Sequence, residues 1–246
     1  MKRVSFGVFR YYASMCGRLF QCASPAQIAS MFGIFKAPPN ARARYNAAPR
    51  QDLLTVRFNP ETRERSLDLL TWGLVPTWTK DLKKAVRPIN AMSETVRTNR
   101  VFSAAFAKRR CLIPVDGFFE WWQQSKPKRP YAIAREDRQP FALAGLWENW
   151  QDPDTKEWLR TFTILTTSAN SLVAKIHDRM PVILHADAYS KWLGEEEASA
   201  DELHALCVPF PANLMTMWPV NPRMNTWKYE ADDTLDLFEA DPINSL

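Results

Sequence analysis

Cys16, in the run Met15-Cys16-Gly17-Arg18, has the most distinctive chemistry in this sequence. If the working chain starts at Cys16, one residue carries a free α-amine and a thiol on adjacent carbons, a 1,2-aminothiol. The natural electrophile for that group is an aldehyde. The amine condenses to an imine, the thiol adds to it, and a five-membered thiazolidine closes. An α-amine has a reference pKa of about 7.7–8.0 against about 10.4 for lysine, so roughly a tenth of it is neutral and nucleophilic at pH 7. The chemistry requires that residues 1–15 be absent. That leader is expected to be a removable pro-segment or the product of an upstream start, and Met15 before Cys16 suits an initiator methionine that is trimmed.

Three further stretches carry chemistry. Glu120 lies between Phe119 and Trp121 in an apolar run. A carboxylate buried there is costly unless paired or protonated, which points to acid/base work with a raised pKa, whereas strand alternation could equally turn it to solvent. His177 follows a short helical stretch and reads either as a C-terminal cap or as an acid/base, and its neighbour Arg179 is a candidate phosphate contact. Trp72-Gly73-Leu74-Val75-Pro76-Thr77-Trp78 precedes Lys80, Lys83, Lys84 and Arg87. Such a stretch is either core beside a solvated loop or a stacking platform beside a phosphate-binding strip.

The elements that must position these residues are short. Ser24-Pro25 opens a helix to about Phe32, with Ile28, Met31 and Phe32 facing inward. The segment 37–49 reads as an ordered loop carrying Arg42, Arg44, Tyr45 and Asn46. Leu53–Phe58 and Ser66–Trp72 predict a hairpin, and a helix spans Val101–Lys108. Cys111–Val115 and Phe118–Trp122 predict two strands about an Asp116-Gly117 turn. Strands are expected at Tyr131–Ala134, Phe141–Trp147, Leu159–Thr167 and Pro181–Leu184. Helices are expected at Asn170–Ile176, Asp187–Leu193 and Ala200–Cys207.

Composition narrows the classes. The 246 residues hold 18 prolines against 7 glycines, which with the short strands favours a β-rich α+β domain over a helix bundle. No apolar run approaches a membrane span, and Met1–Ser14 is too broken for a secretory signal, so the expected location is cytoplasmic, with reduced thiols. Cys16, Cys22, Cys111 and Cys207 fall at no zinc spacing, so neither metal nor cofactor is expected. Residues 1–130 hold 23 Lys/Arg against 8 Asp/Glu and residues 131–246 hold 9 against 19. This asymmetry suggests a basic face for a polyanion, unless the halves neutralise each other within one fold.

Six strings in order, Met-Cys-Gly-Arg at 15–18, Arg-Tyr-Asn-Ala-Ala-Pro at 44–49, Trp-Gly-Leu-Val-Pro-Thr-Trp at 72–78, Asn-Ala-Met-Ser-Glu-Thr at 90–95, Cys-Leu-Ile-Pro-Val-Asp-Gly-Phe-Phe-Glu-Trp at 111–121 and Ile-His-Asp-Arg-Met-Pro at 176–181, resemble the SOS response-associated peptidase family. The resemblance implies a single β-rich domain at 16–228, with a strongly bent, barrel-like antiparallel sheet core flanked by short helices, followed by a loose acidic tail at 229–246. It implies a monomer that binds abasic sites in single-stranded DNA, nucleoid-associated when bound, and captures the opened sugar as a thiazolidine. By the same resemblance Cys16 is the nucleophile, Glu120 the acid/base for imine formation and reversal, His177 the group aiding ring opening, and Asn90 a positioning residue. Arg18, Asn46, Trp78, Arg100, Thr166 and Arg179 match positions that line the DNA groove. Met92 stands where the family usually has a DNA-contacting arginine, with Arg87 or Arg97 as substitutes. Two other readings remain open: an N-terminal-cysteine amidohydrolase or peptidase, and a non-covalent single-strand-binding module.

Overall fold

The computed structural model describes residues 17–238. The chain enters through β1 (Arg18–Gln21) and α1 (Pro25–Met31). Helix α1 starts at a capping box: Ser24 Oγ accepts the Gln27 N–H while the Gln27 side chain accepts the Ser24 N–H. Its buried face is Ile28 and Ala29, with Phe32 just beyond; Met31, expected inside, is 41% exposed because α1 ends in a single buried stripe. β2 (Arg44–Ala47) forms within the stretch expected as loop. β3 (Asp52–Asn59) and β4 (Glu64–Trp72) are the expected hairpin, paired without a slip from Asp52↔Thr71 to Asn59↔Glu64.

Then come β5 (Asn90–Met92), α2 (Ser103–Lys108), β6 (Arg110–Val115), β7 (Gly117–Trp122), β8 (Arg129–Arg135), β9 (Phe141–Gln151) and β10 (Trp158–Ser168). The expected helix at 170–176 is only a 3-10 turn, Val173–Lys175, with Asn170 Oδ1 accepting the Leu172 and Val173 N–H groups. β11 (Arg179–Pro181), β12 (Ile183–Leu184), α3 (Tyr189–Leu193), α4 (Ala200–Ala205) and β13 (Met215–Pro219) complete the regular elements.

The strands form two sheets. In the larger one β10, β4, β3, β6 and β9 follow one another, and β9 pairs back to β10, which closes a five-stranded barrel. The barrel is mixed, since β10 runs parallel to both β4 and β5. The smaller sheet has the order β13-β8-β7-β1-β2 and is antiparallel throughout. Alternation divides the barrel side chains between two apolar clusters. Leu54, Val56, Leu112, Ala144 and Leu146 pack with the helices, while Leu53, Trp72, Ile113, Leu143 and Phe162 pack with Leu19, Phe118 and Ile133 of the smaller sheet. Full burial of each large side chain contributes about 1.5–3 kcal/mol. Among the described residues, no helix is long and apolar enough to cross a membrane.

Asp116-Gly117 is a corner between sheets rather than a hairpin turn, because β6 pairs in the barrel and β7 in the smaller sheet. The Asp116 carboxylate accepts the Cys22 and Ala23 N–H groups. Only glycine fits at 117, where a Cβ would lie 2.1 Å from the Phe20 ring and 2.4 Å from the Ile133 carbonyl oxygen.

The acidic segment expected to be loose is packed as far as the described residues extend. Glu230 pairs with Arg44 at 2.9 Å and accepts the Asn46 N–H, Trp218 Nε1 donates to the Leu235 carbonyl, and Val220 bridges Leu237. Glu230 is the segment's ion-paired carboxylate, whereas Asp232, Asp233 and Asp236 are exposed. Burial alone would raise the Glu230 pKa, but Arg44 and the backbone N–H groups of Asn46 and Tyr45 hold it below its usual value of 4.5. Because the folded-state pKa is depressed, the associated stability is present above 4.5 and lost as pH falls through the depressed value. Glu230→Gln should therefore unfold at lower urea than wild type at neutral pH, with the gap narrowing as pH falls below that range.

Candidate active site and nucleic-acid interface

The site is built outward from the pairing of β1 with β7. Arg18 lies opposite Phe119 and Leu19 opposite Phe118. One step further in the same register sets Gly17 opposite Glu120. Cys16, the preceding residue, lies outside the described residues. Glu120 shares a face of β7 with Phe118 and Trp122, which pack into the core between the sheets, and is itself 3% exposed. Burial thus decides the question that alternation left open. Its Oε1 accepts the Trp121 N–H at 3.2 Å, and its strand partner is the buried Tyr131.

Asn90 is held from two sides. It pairs with Ile164 at the start of β5, and the carbonyl before it, that of Ile89, accepts both the Trp72 indole N–H at 2.9 Å and the Ile164 N–H at 3.1 Å. Trp72 is therefore a buried anchor, stacked on Phe162, and not a stacking platform. His177 follows the 3-10 turn. Its side chain is 7% exposed, and Nδ1 accepts the Arg179 N–H at 3.1 Å and lies 3.0 Å from Asp178 Oδ1. Ile89, Trp122 and Ile176 belong to one apolar cluster, and Gln123 N–H donates to the Ile176 carbonyl at 3.5 Å. These three cluster members stand within two residues of Asn90, Glu120 and His177 respectively.

A groove of about 510 Å³ opens beside Asn90, lined among others by Trp78, Val86, Met92 and Arg100. Trp78 is 49% exposed, with the Arg100 guanidinium 5.8 Å from its ring centroid. Neither Arg87 nor Arg97 lines this groove: Arg97 is paired with Asp201 at 2.6 Å, and Arg87 leans on the Gly73 carbonyl at 3.5 Å. The groove at Met92 is consequently more apolar than the sequence comparison with arginine suggested.

The other expected contacts are less available. Arg179 is engaged by Glu94 through both terminal nitrogens and also donates to the Thr166 carbonyl at 2.8 Å. Thr166 is fully buried, so it reaches any ligand only through Arg179. Asn46 is fully buried, its amide donating to the carbonyls of Met224, Thr226 and Tyr229 and its Oδ1 accepting Arg18 at 2.7 Å. It braces Arg18 and is closed to direct contact. Glu94, the counter-ion of Arg179, went unrecognised as a site residue, although its position two residues past Met92 was in plain view. The basic half is also partly neutralised across the fold, through Arg44–Glu230, Arg65–Glu195, Arg97–Asp201 and Arg109–Glu148.

Residues 15–227 match the model of the SOS response associated peptidase (SRAP) family. The chain belongs to that family. SRAP relatives include the abasic site processing protein YoaM of Bacillus subtilis, 37% identical over 90% of this chain and 98% of its own length. Another is the abasic site processing protein YedK of Escherichia coli, 31% identical over 84% of this chain and 92% of its own. A crystal structure of a protein from Bacteroides thetaiotaomicron superposes with a TM-score of 0.81 at 25% identity, covering 91% of this chain and all of that one.

The three described cysteines of this SRAP chain are poor nucleophiles. Burial, aided by nearby carboxylates, pushes the Cys22 and Cys207 thiols up to about 12 each, and full burial raises Cys111 as well. Iodoacetamide at pH 7.5 should therefore leave Cys22, Cys111 and Cys207 unmodified in the native protein and alkylate them only after denaturation, as read by peptide mass mapping.

Proposed function

We propose that this chain, once it begins at Cys16, captures abasic sites in single-stranded DNA as a thiazolidine crosslink that shields the lesion from strand cleavage. The observation that carries the reading is the β1–β7 register, which runs the segment after Cys16 alongside the buried Glu120. The names of the relatives, abasic site processing proteins, support the same chemistry. So does the start of the family match at Met15, one residue before the proposed nucleophile.

The steps balance as follows. The neutral Cys16 α-amine adds to the C1′ aldehyde of the ring-opened sugar to give a carbinolamine. Glu120 accepts a proton from the amine and returns it to the hydroxyl, which leaves as water to form the imine. The Cys16 thiol then adds across the C=N bond, its proton passing to the nitrogen, and the ring closes with a net loss of one water. The imidazolium form of His177 gives a proton to the ring oxygen as the C1′–O4′ bond breaks, the C1′ hydroxyl loses its proton to solvent, and His177 is reprotonated from solvent. Asn90 orients the sugar. Run backwards through Glu120, the same steps release the DNA, and stalling at the imine is the branch from which lyase-type cleavage would start. Removal of residues 1–15, by self-cleavage or by initiation at Met15, is a precondition, because an amide nitrogen at Cys16 forms no imine.

Trp78 and Arg100 form the stacking and phosphate-binding edge of this groove, and Arg179 joins it when a phosphate displaces Glu94. The protein acts as a monomer. A denaturing gel of protein incubated with an oligonucleotide bearing one abasic site should show a heat-stable adduct. Cys16→Ala should give none, and Glu120→Gln should slow formation roughly 10²-fold. An adduct formed by Cys16→Ala at the wild-type rate would overturn the proposal, and equal rates for Glu120→Gln would remove Glu120 from it.

A further inference from the structure

The segment 222–230 crosses the smaller sheet beside the start of β1, and its contacts there are specific. Arg18 donates to the Met224 carbonyl at 2.9 Å and to the Asn225 carbonyl at 3.0 Å. The Trp121 indole N–H donates to Asn225 Oδ1 at 2.8 Å, with the Arg18 guanidinium 5.9 Å from the Trp121 ring centroid. Immediately after Asn225 the chain makes a β-turn, Thr226 to Tyr229, closed by the Tyr229 N–H on the Thr226 carbonyl at 3.1 Å. Both ends of this turn are pinned from below, because the Asn46 amide donates to the Thr226 carbonyl at 3.1 Å and to the Tyr229 carbonyl at 2.8 Å.

The two corner residues of that pinned turn are Trp227 and Lys228, and both point outward. Trp227 is 54% exposed and Lys228 is exposed. Of the carboxylates that follow, Glu230 is taken by Arg44 and the Asn46 N–H, while Asp233 accepts the Tyr229 hydroxyl at 2.7 Å and keeps its charge. Among the described residues Lys228 makes no ion pair. An exposed indole next to an ammonium, with the exposed Arg223 on the same segment, is the combination that holds single-stranded nucleic acid by stacking and phosphate attraction. A rigid turn suits that task, since little conformational freedom remains to be lost on binding.

We infer that the Trp227–Lys228 turn is a second single-strand-binding subsite, taking a base and phosphate that flank the lesion, separate from the Trp78 groove, which neither residue lines. This rests on the proposed DNA-binding function and adds to it a place where the strand continues. Location supports the pairing of the two surfaces. Arg18 and Trp121, which hold the segment, lie on the face of the β1–β7 pair opposite Glu120, while Trp78 lines the groove that Asn90 shares. Trp227 is two residues from Asn225, within about 7 Å of chain from the Arg18 contact. A strand whose lesion sits at the start of β1 therefore has an aromatic and a cation within reach of Arg18.

The test is fluorescence anisotropy with a labelled oligothymidylate lacking any abasic site, titrated with the full-length protein at several salt concentrations. Trp227→Ala should weaken binding on the order of five- to a hundred-fold with the salt slope unchanged, and Trp227→Phe should recover most of the loss. Lys228→Met should lower the slope of log affinity against log salt by about 0.7. Matching thermal melts for the variants exclude a folding effect. If wild type binds and Trp227→Ala and Lys228→Met bind equally well, the subsite is refuted while the proposed function stands. If wild type itself fails to bind single-stranded DNA, the function falls and the subsite with it.

Discussion

The antiparallel pairing of β1 with β7 is the constraint on which the rest of the site depends. It is a pairing of only three residues on each side, Arg18 to Phe20 against Phe119 to Gly117, and it is made firm from outside the sheet. Gln21, buried at the end of β1, accepts the Leu54 N–H and donates to the Leu54 and Pro114 carbonyls, tying β1 to the barrel. Asp116 accepts the two N–H groups that follow β1. Because the side-chain period of a strand is two, a slip of one residue would turn Glu120 from the core margin to the outer face. The buried Gln21 amide and the glycine at 117 make such a slip costly, since each fits one register only.

The same economy governs the cations. A chain with a basic half might have offered that half to a polyanion as a continuous surface, but the fold spends much of it internally. Arg44, Arg65 and Arg109 are partly buried partners of carboxylates from the other half, and Arg18 is braced by Asn46 and two carbonyls. Exposed cations remain, among them Lys80, Lys83, Lys84, Lys126 and Lys128, and two stand beside an exposed aromatic ring, Arg100 over Trp78 and Lys228 next to Trp227. Such aromatic and cation pairs suit unstacked single-stranded bases.

Much of this was legible in the sequence where the causes are local. The helix start at Ser24-Pro25, the β3–β4 hairpin and the apolar strands depend on residues a few positions apart, and they formed as expected. Long-range causes were not legible. A turn signal at Asp116-Gly117 is the same whether the second strand folds back or leaves for another sheet. The burial of Glu120 depends on which face of β7 meets the barrel, and that of Asn46 on carbonyls about 180 residues further along the chain. Glu230 could not be told from the exposed aspartates that follow it, because its partner, Arg44, lies far off in the sequence. Six ordered strings nevertheless sufficed to indicate the family, since their residue types and order are read without knowing what packs against them.

In the proposed mechanism one residue, Cys16, supplies both nucleophiles, and Glu120 moves the proton. Tandem mass spectrometry of the crosslinked peptide, after digestion of adduct with protease and nuclease, reads this directly. The account predicts a peptide beginning at Cys16, with the sugar remnant attached to that residue through both nitrogen and sulfur and a mass equal to the two components less one water. A remnant carried on a lysine, or on Cys16 in a peptide still continuous with Met15, would contradict it.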